Sequence, residues 1–167
     1  THDQVEALTL SDLIAVMDSG VVRQIGTPED IYKRPEDLFV ARFVGSPRIN
    51  AINGRLVHRD GKTLFAAGQL AIPLQPGRSF PEEQIVATVR PEDIEVSGKA
   101  VQGWLECKAY SILPVGSETI INVQSSDFSL SVKVNGFTDI QMDDPVWVHL
   151  NEPAVNFYNG QNEKRIP

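Results

Sequence analysis

The side chains most able to do chemistry in this chain are few and scattered. Gly61-Lys62-Thr63 has the ending of a phosphate-cradling loop, in which backbone N–H groups and a lysine hold triphosphate oxygens. That loop needs a glycine at position 56, where Leu56 stands, and a helix after Thr63, whose flank carries no helical pattern. Arg59-Asp60-Gly61-Lys62 therefore reads as a turn between two strands. His2, His58 and His149 are widely separated and read as surface or structural residues rather than a metal triad. Cys107, the single cysteine, sits in strand-like Leu105-Glu106-Cys107-Lys108-Ala109 and reads as a small core residue, not a nucleophile. One cysteine excludes an intrachain disulfide and a Cys-rich zinc site. No G-x-G-x-x-G, H-E-x-x-H or G-x-S-x-G pattern occurs.

Two short motifs remain. In Arg90-Pro91-Glu92-Asp93, Pro91 fixes the backbone, and Glu92 with Asp93 could open a short helical turn. Arg90 could then pair with a carboxylate across the fold; a structural role is favoured over a binding site. Gly116-Ser117-Glu118 lies between apolar Leu113-Pro114-Val115 and Thr119-Ile120-Ile121. A hairpin turn explains it without a ligand, and a small-ligand pocket at that turn is the sharper alternative.

Composition narrows the classes further. The 167 residues carry 15 basic and 22 acidic side chains, a formal charge of −7. A nucleic-acid partner is not expected, because phosphate neutralisation needs a basic face. No apolar run approaches the ~18 residues of a membrane span. The chain opens on polar Thr1-His2-Asp3-Gln4, without a basic leader, and starting at Thr it reads as a fragment of a longer protein.

The elements that must position these residues fall into two groups. Over the first ~50 residues, Thr1 or Asp3 can cap a short helix carrying Val5 and Leu8. Leu13–Met17 and Val21–Ile25 flank Asp18-Ser19-Gly20 and predict a hairpin. Thr27-Pro28-Glu29-Asp30 combines a cap, a first-turn proline and two carboxylates at the positive end of a helix. A second helix starts at Pro35-Glu36-Asp37, carries Leu38, Phe39, Ala41, Phe43 and Val44, and stops at Gly45-Ser46-Pro47. Beyond residue 48 come short strands: Ile49–Val57, Thr63–Ala67, Leu70–Leu74, Ile85–Val89, Trp104–Leu113, Glu118–Val123, Phe128–Val134 and Val146–Leu150. Gln75-Pro76-Gly77 and Phe80-Pro81 interrupt them. Strands at this spacing predict a small barrel or sandwich. The aromatics Trp104, Phe128, Phe137, Trp147, Phe157 and Tyr158 read as core and dimer-interface groups rather than a base-stacking platform.

The first 48 residues also resemble a known family. Thr1-His2-Asp3-Gln4-Val5-Glu6-Ala7 is similar to the switch-histidine segment of ATP-binding-cassette (ABC) transporter ATPases. Gly20-Val21-Val22-Arg23-Gln24-Ile25-Gly26-Thr27-Pro28-Glu29-Asp30-Ile31-Tyr32 and Phe39–Pro47 resemble the end of the same ATPase domain. The variety most resembled is the importer ATPase of the maltose and glycerol-phosphate uptake type. Its C-terminal extension is an oligonucleotide-binding-type (OB-like, transport-associated) β fold. Val89–Ile94 resembles that extension's Arg-Pro-Glu motif, and Val115–Thr119 its Gly-Ser-Glu turn.

The resemblance implies a mainly β chain with an OB-like β-barrel preceded by a partial α/β remnant of the ATPase domain. It divides the chain into residues 1–47, the remnant, and 48–167, the regulatory domain. It implies a regulatory and dimerisation role in an importer for sugars or related solutes, with a solute- or oxyanion-sensing module as the alternative. By resemblance alone, His2 is the switch histidine of the parent, and Arg90, Pro91, Glu92, Gly116, Ser117 and Glu118 are regulatory or turn residues. The phosphate loop, signature helix and catalytic glutamate of the family do not occur. No cofactor is expected in this chain and no hydrolysis by it alone, whereas the parent would use ATP and magnesium. Implied partners are a second copy, permease subunits on the cytosolic face of the membrane, and a cytosolic regulator or small solute.

Overall fold

A computed structural model describes residues 1, 3–74 and 84–167. His2 and the interruptions at Gln75-Pro76-Gly77 and Phe80-Pro81 lie outside the described residues.

The leading elements form where their caps place them. Helix α1 (Gln4–Leu10) begins behind Asp3, whose carboxylate accepts the Glu6 N–H. Strands β1 (Ile14–Asp18) and β2 (Val21–Gly26) pair as a hairpin whose turn residues, Ser19 and Gly20, both have positive φ. Helix α2 (Pro28–Lys33) starts behind Thr27, which accepts the Asp30 N–H, with Pro28 in the first turn. Helix α3 (Leu38–Phe43) starts behind Asp37, which accepts the Val40 N–H. Val16, Ile31, Val40 and Val44 form a small buried cluster among these elements.

The rest is β. Strands β3 (Asn50–Arg59), β4 (Lys62–Ala67), β5 (Leu70–Pro73) and β6 (Gln84–Val89) precede a 3-10 turn at Pro91–Asp93. Strands β7 (Ile94–Ser97), β8 (Leu105–Val115), β9 (Glu118–Gln124), β10 (Ser129–Asn135) and β11 (Pro145–Leu150) follow. A second 3-10 turn, Glu152–Ala154, leads to β12 (Asn156–Asn159) and β13 (Arg165–Ile166). They build two antiparallel sheets, ordered β10-β9-β8-β11-β7 and β13-β12-β6-β3-β4-β5. One core lies between them. Val146, Val148 and Leu150 of β11 and Leu130 and Val132 of β10 supply one side; Ile52, Phe65, Ile85, Ala87 and Val89 supply the other. The period of two in these strands puts every second side chain inward. At Gly54 an added Cβ would lie 2.5 Å from the Phe65 ring, so only glycine lets β3 pass over that ring.

The mainly β expectation is met by two antiparallel sheets, of which the five-stranded one is curled and partly open. The ladders are open-ended where a barrel would be closed. β10 curls towards β7 and the Pro91–Asp93 turn. Its outer edge is met by the Asn50 side chain. The buried Asn50 amide accepts the Ser131 N–H at 2.7 Å and donates to the Ser131 carbonyl at 2.9 Å. The amide thus acts as one peptide unit of a missing ladder.

Strands β7, β12 and β13 are not among the strands read from the sequence. Each is short, and β12 has consecutive buried residues because both of its faces are covered. Phe157 enters the main core, whereas Tyr158 packs with Leu38, Ala41, Ile49 and Val86 under α3. The same double cover makes Ile85–Val89 a continuous buried run. Of the aromatics assigned to core or interface, Phe157 and Tyr158 are buried, while Phe137 stands exposed.

Candidate functional site

The site is a junction, built where the leading helices meet the β sheets. Arg90 leaves the end of β6 and its side chain is buried, 4% exposed. Its guanidinium donates to the carbonyls of Tyr32 (3.0 Å), Val44 and Ala41 (3.5 Å). These are last-turn carbonyls of α2 and α3, which have no partner within their own helices and carry the negative end of the helix dipole. One cation therefore caps two helix C-termini. The guanidinium also lies over the Tyr32 ring, 4.1 Å from its centre. Burial pulls the Arg90 guanidinium below its ordinary value, which starts high enough that the cation persists at neutral pH. The sequence-based expectation that Arg90 pairs with a carboxylate is corrected here, since its hydrogen bonds go to backbone carbonyls. Gly45 makes room for this contact. Its φ is +107°, and an added Cβ would stand 2.7 Å from the guanidinium nitrogen.

Pro91 is buried at the start of the 3-10 turn and aims Glu92 back at α2. The Tyr32 hydroxyl donates to the Glu92 carboxylate. Burial, with Glu92 adding, pushes the Tyr32 phenol up to about 12, so it keeps its proton as a donor. Burial and the neighbouring Glu92 also raise the Asp93 carboxyl above its ordinary value. On its other side Glu92 faces the Lys133 ammonium at 4.0 Å, and Lys133 reaches Glu118 at 3.4 Å. Glu118 closes the hairpin whose exposed turn is Gly116-Ser117, with Gly116 at φ +71°. The structure thus joins Arg90, Pro91, Glu92 and Glu118 in one polar string, while Gly116 and Ser117 form its exposed tip. Sequence reading missed Tyr32, Gly45 and Lys133. Gly45 before Ser-Pro was a visible signal; Tyr32 and Lys133 are surface-like residues that only tertiary placement makes central.

A second set of contacts reinforces the junction. Asp37, fully buried, pairs with Arg23 at 2.9 Å and Lys164 at 3.2 Å. The Tyr158 hydroxyl donates to the Pro35 carbonyl, and the Asn156 amide to the Lys33 carbonyl. Leu38 N–H donates to Glu163, and Arg165 N–H to the Glu36 carbonyl.

The remaining candidates stay apart. His58 meets Thr63 at 3.1 Å, and His149 stacks on Trp104. Burial pushes the Cys107 thiol up to about 11, which leaves it inert at neutral pH. Among the described residues no three His, Cys, Asp or Glu side chains are grouped to hold a metal ion. No helix among them is long and apolar enough to cross a membrane.

A β body clamped by buried polar contacts to a leading segment of three short helices and a hairpin is the class of architecture this geometry defines. The chain is similar over nearly its whole length to the C-terminal part of ATP-binding subunits of ABC importers. It is 33% identical over 167 residues to the sn-glycerol-3-phosphate import ATP-binding protein UgpC of Escherichia coli O157:H7. That alignment covers 99% of this chain and 46% of the relative. It is also 33% identical to the uncharacterized ABC transporter ATP-binding protein YurJ of Bacillus subtilis strain 168, over 99% of this chain and 48% of that one. The chain thus spans about half the length of the curated relatives it matches. Among solved structures, the cytoplasmic molybdate-binding protein ModG with molybdate bound aligns with a TM-score of 0.46 and 12% identity. That match covers 65% of this chain and 94% of ModG. No protein-family model matches the chain.

Proposed function

We propose that this chain is the C-terminal regulatory and dimerisation portion of the ATP-hydrolysing subunit of an ABC importer for sugars or related solutes. Residues 1–47 are the end of the ATPase domain and 48–167 the OB-like regulatory domain. The observation that carries the reading is the one-sided packing of the first 47 residues. Leu13, Met17, Val22 and Ile25 of the hairpin region and Phe43 of α3 are exposed. Beside them lies a mainly apolar groove of about 400 Å³, lined by residues such as Ala7, Leu8, Ile14, Val16 and Val44. Apolar surface of this extent on a small α/β unit calls for further protein against it. The rest of an ATPase domain supplies that cover.

On this reading ATP and magnesium are held by the parent's phosphate loop, which this sequence lacks. His2 acts in the parent as the switch histidine. Arg90 and Glu92 tie the ATPase end to the regulatory body, so the two move together while permease subunits at the cytosolic face of the membrane receive the motion. A second copy pairs through the β body, and a cytosolic regulator or solute that prefers one arrangement shifts the population. The test is an ATP hydrolysis assay with sedimentation. The isolated chain should hydrolyse no ATP, and the chain joined to a preceding ATPase half should do so as a dimer. Hydrolysis by the isolated chain would overturn the assignment.

A further inference from the structure

We propose that Lys133 is the positioning residue of an internal strap that couples the exposed Gly116-Ser117 hairpin to the C-terminal ends of α2 and α3. The observation is a single ammonium shared by two carboxylates from different elements. Lys133, on β10, lies 3.4 Å from Glu118 at the base of the hairpin and 4.0 Å from Glu92 on the 3-10 turn. Glu92 in turn takes the Tyr32 hydroxyl hydrogen bond, and Tyr32 presents both its ring and its carbonyl to Arg90. Arg90 caps the last turns of both helices.

Two carboxylates compete for one cation, so a shift of the hairpin that draws Lys133 to Glu118 weakens its hold on Glu92. Glu92 then has the Tyr32 hydroxyl as its remaining partner in the string. The hairpin end itself is well tied. The Gly136 N–H donates to the Ser117 carbonyl at 2.7 Å, and the Thr119 hydroxyl to the Gly136 carbonyl at 2.7 Å. A displacement at the tip is therefore carried to Glu118 rather than absorbed in the turn. The Lys133 side chain is about one-fifth exposed, so its ion pairs are less screened than free surface pairs. The coupling follows from this chain's own contacts and does not depend on the ATPase reading.

Hydrogen exchange on the full chain tests it. The reporters are the Arg34 and Val44 amides, which close the last turns of α2 and α3 on the Asp30 and Val40 carbonyls. Lys133→Met should speed their exchange about threefold, the scale of one partly screened ion pair. Amides of β11 should be unchanged. Tyr32→Phe should have a similar effect, and the double variant should add little to either single change. Lys133→Arg, which keeps the cation, should restore the slow exchange. Changes confined to β9 and β10, uniform acceleration, or additive effects of the two changes would each overturn the strap. Nucleotide is absent from the assay, so failure here leaves the importer assignment standing, and the reverse.

Discussion

The first 47 residues and the β body bury their apolar side chains in different ways. In the β body, two sheets face each other and each supplies the other's cover. In the leading segment, one buried cluster is internal, formed around Val16, Ile31, Val40 and Val44. Another is shared: Leu38 and Ala41 pack with Ile49, Val86 and Tyr158 of the β body. Several of its other apolar residues, among them Val5, Leu10, Leu13 and Met17, are exposed. The caps of all three helices are nevertheless correctly made. Local signals can thus specify elements whose stability is supplied by neighbours, since helices of six or seven residues do not persist alone. The main core of the β body is formed by its own residues, whereas the leading segment shares part of its burial with the β body.

That contrast can be broken at its centre. Arg90→Met should have the largest effect, because it leaves carbonyls of Tyr32, Ala41 and Val44 buried without a donor. A loss of roughly 3 kcal/mol is expected in urea unfolding, with the leading helices losing protection before the β sheets. Limited proteolysis should cut first near Gly45–Arg48. If both regions unfold together with unchanged stability, the dependence is misplaced. Asn50→Ala tests the opposite region. It removes both hydrogen bonds to Ser131 and should cost about 2 kcal/mol. Here the five-stranded sheet should loosen at β10 while Arg90 keeps its grip on the helices. Exchange of the Ser131 amide is the direct readout.

What the sequence made legible follows the same division. Caps and turns act over three or four residues, so the Thr27 cap, a first cap at Thr1 or Asp3, a helix start within Pro35-Glu36-Asp37 and the turn at Asp60-Gly61 could be read directly. Long strands with one buried face, such as β10 and β11, announced themselves by alternation. β12 did not, because Phe157 and Tyr158 are buried on opposite sides of one sheet. The candidate site was legible in its motifs and illegible in its wiring. Arg90-Pro91-Glu92 and Gly116-Ser117-Glu118 could be singled out, yet Lys133, which links them, looks like an ordinary polar position in an alternating strand. The partners of Arg90 were misjudged because backbone carbonyls of distant helices leave no residue-type signal. Only Gly45, held where a Cβ would meet the guanidinium, records the contact in the chain itself.

Acidification offers the mildest way to separate the two regions. Asp37 is fully buried at the start of α3. Burial by itself would raise its carboxyl, but the Val40 N–H, Lys164 and Arg23 outweigh burial and hold it below its ordinary value. A depressed folded-state value means that the carboxylate stabilises the fold above its unfolded value, near 3.9, and that the contribution fades as pH falls through the lower folded value. Asp37→Asn keeps a side-chain oxygen for the cap and removes the charge that pairs with Arg23 and Lys164. The variant should be less stable than the parent chain by about 1 kcal/mol at pH 7, and the gap should narrow as pH falls below the unfolded value. Because Lys164 sits in the C-terminal tail and Arg23 on β2, the loss should appear first as faster exchange in α3 and the tail. A gap that stays constant down to the lowest pH would mean that packing, and not the charge on Asp37, joins the tail to the leading helices.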